Sequence, residues 1–461
     1  MYELPFTIRG EAFHTPRRGC LESLPDCLID VTEDGVIGRV TPAGDAHHAA
    51  HLRAAAMSGT LVTLRPGQTL LPGMVDLHVH APQWPQLGKA LDEPLEVWLQ
   101  RYTFPLEARY ADVDFARRVY ESLVDALLAH GTTTAVYFAT IHVDATLALA
   151  EICLRRGQRA IIGKVAIDHP DQCPDFYRDE SAEAALDGTR RVIERIRAMQ
   201  PTGRPLVLPA ITPRFLPACS DALLEGLGVL ANETGCHVQT HCSESDWEVA
   251  HTAGRFGASD VAALERFGLL PRYAILAHSN FVTRADRDLV RNSGAGIAHC
   301  PLSNFYFAGA VAPIRHALDE GLHVGLGTDI SGGPSAFLLD SARMAMAASR
   351  ALDRGTDPAL APENRGRPGS AVTVEEAFWL ATRGGGEALG LPIGCFEPGF
   401  AFDALVVESD RPGSALRNWS GLDSDHDRFE KIVRCAVPSD LVATWVNGRQ
   451  VAGHAPKSRE V

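Results

Sequence analysis

Two histidines, two residues apart, close the apolar run LLPGMVDLHVHAPQW (70–84). On a strand, His78 and His80 project to the same side, so both imidazoles can reach one ion. Alone, an H-x-H pair reads more readily as packing. Three further groups change the weighing: His241 in QTHCSES, His278 in LAHSN and Asp329 in GLGTDI. Imidazoles joined by a carboxylate suit Zn²⁺ and would also accept Fe²⁺. Glu244 follows His241 by three residues. It can move protons without ligating, although in isolation it reads as a solvated loop acid.

These groups lie far apart in the chain, so the elements between them must gather them. Eight short β-branched or apolar runs recur, at 73–81, 131–140, 159–168, 205–215, 235–244, 272–280, 294–301 and 322–330. Helix-like segments with apolar residues every three or four positions separate them, among them 112–130, 187–199, 219–233 and 246–257. Strands so fully apolar want cover on both faces. Eight strand–helix units predict an α/β fold, a (β/α)8 TIM-like barrel. Active sites of that fold sit at the C-terminal strand ends. Read in order, these ends carry His78, His80, Thr140, Asp168, Arg214, His241, His278, His299 and Asp329. Polar groups at buried strand ends are costly unless paired or used.

The flanks differ. Residues 1–70 and 391–461 contain short strand-like runs, with EDG and NGR as hairpin signals. Neither has enough apolar residues for its own core. They are expected to pair into one small β-sandwich beside a catalytic barrel at 71–390. The net charge of −14 disfavours a nucleic-acid partner. No apolar run approaches the ~18 residues of a membrane span, and the N-terminus lacks a signal layout. A cytoplasmic location is the expectation. Ten cysteines without a C-x-x-C pair do not read as a disulfide scaffold.

At this point the chain resembles the amidohydrolase superfamily, in the branch of nucleobase and aminoheterocycle deaminases, and is similar in particular to guanine deaminases. The matching stretches are PGMVDLHVHAPQ, RYTFPLE, ITPRF, QTHCSE, LAHSN, AHCPLSN and GLGTDISGG, in order from 72 to 333. HAPQ and ITPRF narrow it to guanine deaminases. The resemblance implies one divalent metal on His78, His80, His241 and Asp329. His278 would bond the metal's water or stand as a distant fifth ligand. Glu244, His278 and Asp329 would be the catalytic groups, with Glu244 the proton shuttle. Gln83, Arg214 and Phe215 would bind a purine base, with Trp84 as an aromatic wall. Gln83 offers donor and acceptor together. Arg214 can donate to a 6-oxo group, and equally reads as a structural salt bridge. The implied reaction is hydrolysis of guanine to xanthine and ammonia, a step of purine catabolism, by a homodimer.

Rival readings remain open. Cyclic-amide hydrolases on this barrel often use two metals bridged by a carbamylated lysine at the end of strand four. That strand, LPAITPRF, has no lysine, and Lys164 falls inside strand three. An 8-oxoguanine, pterin or s-triazine ring would fit similar chemistry. A metal-free scaffold would have lost ligands that this chain keeps. Base-flipping deaminases carry H-x-E and P-C-x-x-C, and neither occurs. His47, His48 and His51 read as solvated. His142 and His299 stay ambiguous between the mouth and plain packing.

Overall fold

The computed structural model describes residues 3–200 and 204–453. Five strands come first: β1 (Phe6–Arg17), β2 (Cys20–Val31), β3 (Ile37–Thr41), β4 (Leu61–Thr63) and β5 (Gln68–Pro72). β1 pairs antiparallel with β2. Along its other edge it pairs parallel with β4 at Thr7–Arg9 and with β5 at Glu11–Ala12. The EDG segment turns β2 into antiparallel β3, with Gly35 at φ 72°. There only glycine carries the conformation without a Cβ penalty.

Eight strands follow: β6 (Met74–His80), β7 (Thr132–Phe138), β8 (Arg159–Ala166), β9 (Val207–Pro213), β10 (His237–Cys242), β11 (Ala274–His278), β12 (Gly296–His299) and β13 (His323–Leu326). Each is parallel to the next in chain order. This is the expected barrel. Its intervening helices start where the polar residues put them. Asp112 caps helix Val113–Ala129 by accepting from Asp114 N at 3.0 Å and Phe115 N at 3.1 Å. Ser181, Ser220 and Ser245 cap the helices Ala182–Ala198, Asp221–Thr234 and Asp246–Phe256 in the same way. Leu123 and Leu127 of helix Val113–Ala129, and Leu149 and Ile152 of helix Val143–Arg156, are buried in one cluster with Tyr137 and Ile162 of the strands. Each such side chain contributes roughly 1.5–3 kcal/mol.

The barrel closes just beyond its last strand. His80 N donates to Ile330 O, and Asp329 N to His78 O, both at 2.9 Å. One turn lower, Asp76 accepts from Thr328 N at 3.0 Å and Thr328 Oγ1 at 2.6 Å. The seam therefore joins the H-x-H strand directly to the Thr-Asp turn.

Three strands end the fold: β14 (Ala404–Glu408), β15 (Leu441–Val446) and β16 (Arg449–Gly453). β14 pairs antiparallel with β5, so both ends of the chain form one eight-stranded sheet that branches at β1. Its core is shared: Phe6, Ile8 and Ile29 meet Phe402, Val406 and Trp445. NGR turns β15 into β16. His48 and His51, expected in solvent, are buried instead. They sit i, i+3 on helix His48–Met57. His48 Nε2 meets Asp26 O at 2.7 Å, and the His51 ring bridges Thr41 Oγ1 (2.9 Å) and Asp30 Oδ1 (2.7 Å). His47 is exposed, and eight of the ten cysteines are buried. Among the described residues no helix is long and apolar enough to cross a membrane.

Candidate active site

The ends of β6, β10, β11 and the turn after β13 converge. His78 Nε2 lies 3.2 Å from Asp329 Oδ1, and His80 Nε2 lies 3.4 Å from the same oxygen. His80 Nε2 is 3.0 Å from His241 Nε2. Donors ~2.0–2.2 Å from one ion in a tetrahedral array stand roughly 3.4 Å from each other. The spacing therefore fits a shared cation. His278 joins them, its ring centroid 5.4 Å from that of His78.

The state of the nitrogens fits as well. Nε2 of His78 and Nε2 of His278, which face the cluster, are buried without a hydrogen-bond partner; Nδ1 of His78 and of His80 also lack one but belong to the other side of each ring. An idle buried polar atom is costly unless a ligand takes its lone pair. Burial, aided by neighbouring positive charge, holds His78, His80 and His241 well below the usual imidazole range. They are neutral, the form that ligates. His241 Nδ1 donates to Arg214 O at 2.5 Å, which turns Nε2 toward the cluster. His278 Nδ1 faces Asn304 Oδ1 at 3.0 Å, and its Nε2 points to Glu244 Oε1 at 3.6 Å.

The backbone makes the same point. His278 and Asp329 have φ of 68° and 50°, and Ser243 and Ser279 have 49° and 54°. Left-handed non-glycine residues cost of order 1–3 kcal/mol each and gather at functional sites. Glu244 is pinned at both ends of its peptide: its N–H donates to Glu248 Oε2 at 2.7 Å, and its carbonyl accepts from Asn280 Nδ2 at 2.9 Å. Burial first, then the charge of Asp329, pushes its carboxyl up to about 8, with Arg214 opposing. Burial thus favours its protonated form, and a cation beside it favours release.

A cavity opens over the cluster, and Gln83, Arg214, Phe215, Glu244, Trp98 and Phe307 are among its lining. Arg214 is bound through Nη1 to Glu107 Oε2 at 2.7 Å and through Nη2 to Oε1 at 3.2 Å. Gln83 Nε2 donates to the same Oε1 at 2.9 Å. Glu107 went unread in the sequence, although it ends the quoted RYTFPLE. Phe104 and Glu107 sit i, i+3 on the short helix Phe104–Ala108, and the Arg214 guanidinium lies 5.2 Å from the Phe104 ring. Asp76 also went unread; its i, i+2 spacing below His78 was the available signal.

Trp84 departs from expectation. It occupies the 3₁₀ turn Ala81–Gln86 beside Gln83, where successive side chains point about 120° apart. With Gln83 facing the cavity, the indole turns outward, and its Nε1 donates to Ser122 Oγ at 3.1 Å. Trp98 and Phe307, with ring centroids 5.2 Å apart, line the cavity instead. Lys164 Nζ is bound to Asp179 Oδ1 at 2.7 Å in strand three of the barrel. Asp168 accepts from Ser220 N and Oγ, supporting a helix start. His299 is buried at the end of β12 and burial pushes it down to about 3.

The amidohydrolase family matches residues 69–451. A probable guanine deaminase of Schizosaccharomyces pombe is 36% identical over 97% of this chain and 84% of its own length. A solved guanine deaminase from C. acetobutylicum, with guanine bound in its active site, superposes with a TM-score of 0.85. It is 29% identical over 97% of this chain and 99% of its own. An adenosine deaminase from Xanthomonas campestris, solved with zinc, gives 0.79 at 25% identity, over 96% of this chain and 92% of its own. The chain belongs to the amidohydrolase family. That family is metal-dependent, and the histidines and Asp329 are candidate donors for the ion.

Proposed function

We propose that this chain is a guanine deaminase, a hydrolase of the C–N bond in a cyclic amidine, converting guanine and water to xanthine and ammonia. The observation that carries this reading is a donor–acceptor pair, Gln83 and Arg214, lining the same cavity as the histidine cluster and Glu244. The S. pombe and C. acetobutylicum relatives support the choice of ring. A divalent cation on His78, His80, His241 and Asp329, zinc in this reading, supplies Lewis acidity that makes water nucleophilic near neutral pH. The zinc of the Xanthomonas relative supports that choice.

The chain's own groups do the rest. Arg214 donates to the 6-oxo group, Gln83 pairs with a purine edge, and Phe215 and Trp98 exclude water from the ring. Water adds at C2 while the Glu244 carboxyl gives its proton to N3. His278 Nε2 and Asp329 accept the proton that the water loses. The Glu244 carboxylate then takes the proton of the new C2 hydroxyl and passes it to the departing amino group as C2=O forms, the C2–N bond breaks and ammonia leaves; the proton held by His278 and Asp329 returns to Glu244. Acid–base help of this kind contributes ~10²–10⁴-fold.

Absorbance-monitored conversion of guanine to xanthine, with and without chelator, tests the reading. 8-Oxoguanine, pterin and an amino-s-triazine run in parallel as the competing rings. Faster ammonia release from one of them reassigns the substrate. The homodimer and the cytoplasmic location belong to the same proposal, and sedimentation and cell fractionation check them.

A further inference from the structure

Arg214 is a buried guanidinium in a cavity meant, on the reading above, for an uncharged base. Left to itself it would favour anionic ligands. It is not left to itself. Both of its Nη atoms bond the Glu107 carboxylate, which is wholly buried. Three of its five N–H donors stay free. The pair is electrically neutral yet still presents donors.

The same carboxylate settles the direction of the Gln83 amide. Nε2 donates to Glu107 Oε1, and Oε1 of Gln83 accepts from Ser331 N at 3.1 Å. A flipped amide would set its oxygen against the carboxylate and its NH₂ against a backbone N–H. The amide keeps one N–H and one lone pair, with their order fixed. Phe104, one turn earlier on the helix of Glu107, lies against the guanidinium.

We propose that Glu107 is a positioning residue that sets specificity: it fixes the order of donor and acceptor on Gln83 and cancels the charge of Arg214, so that the cavity takes a neutral oxopurine and rejects an anionic one. Glu107 touches no reacting atom in this role. It acts through two side chains that do meet the base.

The inference rests on the purine reading, and its test separates the two. Wild type, E107D and E107Q, each checked for metal content and thermal midpoint, are compared for guanine turnover and for inhibition by urate, an anionic purine at neutral pH. E107Q, which leaves Arg214 uncompensated, is expected to raise KM for guanine at least tenfold, with kcat falling less than KM rises. Urate is expected to inhibit it at least tenfold more tightly than wild type. E107D keeps the charge on a shorter stem. Its KM should rise several-fold while urate inhibition stays as in wild type. An E107Q enzyme with wild-type KM and urate inhibition overturns the proposal, as does an E107D enzyme that binds urate as tightly as E107Q. If E107Q fails to fold, E107D decides: a wild-type KM overturns the proposal, and a raised KM with unchanged urate inhibition supports it. If wild type makes no xanthine, the substrate reading falls. Calorimetric titration of urate into wild type and E107Q then still decides the charge half of the proposal.

Discussion

The barrel mouth has two ends built on opposite principles. At the histidine end, His78 and His278 carry buried Nε2 atoms with no hydrogen-bond partner, and His278 and Asp329 hold left-handed backbone. At the Arg214 end, Glu107 holds Arg214 and Gln83, and the Ser331 backbone N–H holds Gln83, before any substrate arrives; there only the Ser331 hydroxyl is buried without a hydrogen-bond partner, among these four residues. The first end is completed by something from outside the chain. The second is preorganised, so binding there need not reorder side chains. Perturbing the first should therefore abolish chemistry, and perturbing the second should redistribute affinity.

The largest expected effect is removal of the metal. Stripping with a chelator should bring guanine turnover below about a thousandth of the holoenzyme, since water then loses its activation. The thermal midpoint should fall too, because an ion at a thousandfold excess over its Kd stabilises by about 4 kcal/mol. Calorimetry of apo and zinc-reloaded protein checks this. An unchanged midpoint would mean that the idle nitrogens are not ligands, and the contrast between the two ends would disappear.

Next comes E244Q. The amide cannot give or take the proton, yet it keeps the shape of the side chain. We expect one ion per chain, an intact fold and kcat lower by ~10²–10⁴. Near-wild-type turnover would remove Glu244 from the proton path.

Smaller still is D76N. Asp76 receives Thr328 N, Thr328 Oγ1 and, at 3.2 Å, His78 N, so it holds both sides of the barrel seam. Burial, its largest influence, raises it to about 7. Loss of such an outer partner typically costs 10–100-fold in metal affinity or activity, roughly. Competition with a chromogenic chelator measures it; an unaltered affinity would confine Asp76 to holding the fold.

Part of this was legible in the sequence, and the split has a physical origin. His78, His80, His241, His278 and Asp329 stood out because such groups at the ends of apolar strands are expensive without a use. The eight strands stood out by the same apolar runs. Glu107 and Asp76 did not, because their meaning lies in partners more than a hundred residues away: Arg214 for one and Thr328 for the other. Periodicity reports which face of an element is apolar, not which buried acid meets which buried base. The burial of His48 and His51 is hidden for the same reason: their partners, Asp26 and Asp30, lie some twenty residues away on β2. The two flanks pair beside the barrel as expected; that they do so through one sheet branching at β1, which serves two neighbours along one edge, is announced by no local pattern.

The smallest expected effect tests the cavity wall. Gln83 and Trp84 are adjacent in the chain, and the 3₁₀ turn separates them onto different faces. W84F loses the bond to Ser122, typically about 0.5–1.5 kcal/mol for an intramolecular hydrogen bond. It touches nothing in the cavity, so kcat/KM for guanine should stay within about twofold of wild type while the thermal midpoint drops slightly. W98A removes a ring that lies on the cavity and packs against Phe307. It should raise KM several-fold and leave kcat nearly unchanged, the pattern of lost uniform binding. Should W84F raise KM more than W98A does, the indole of Trp84 would have to swing inward when the base binds, and the outer wall would be remade by substrate rather than set beforehand.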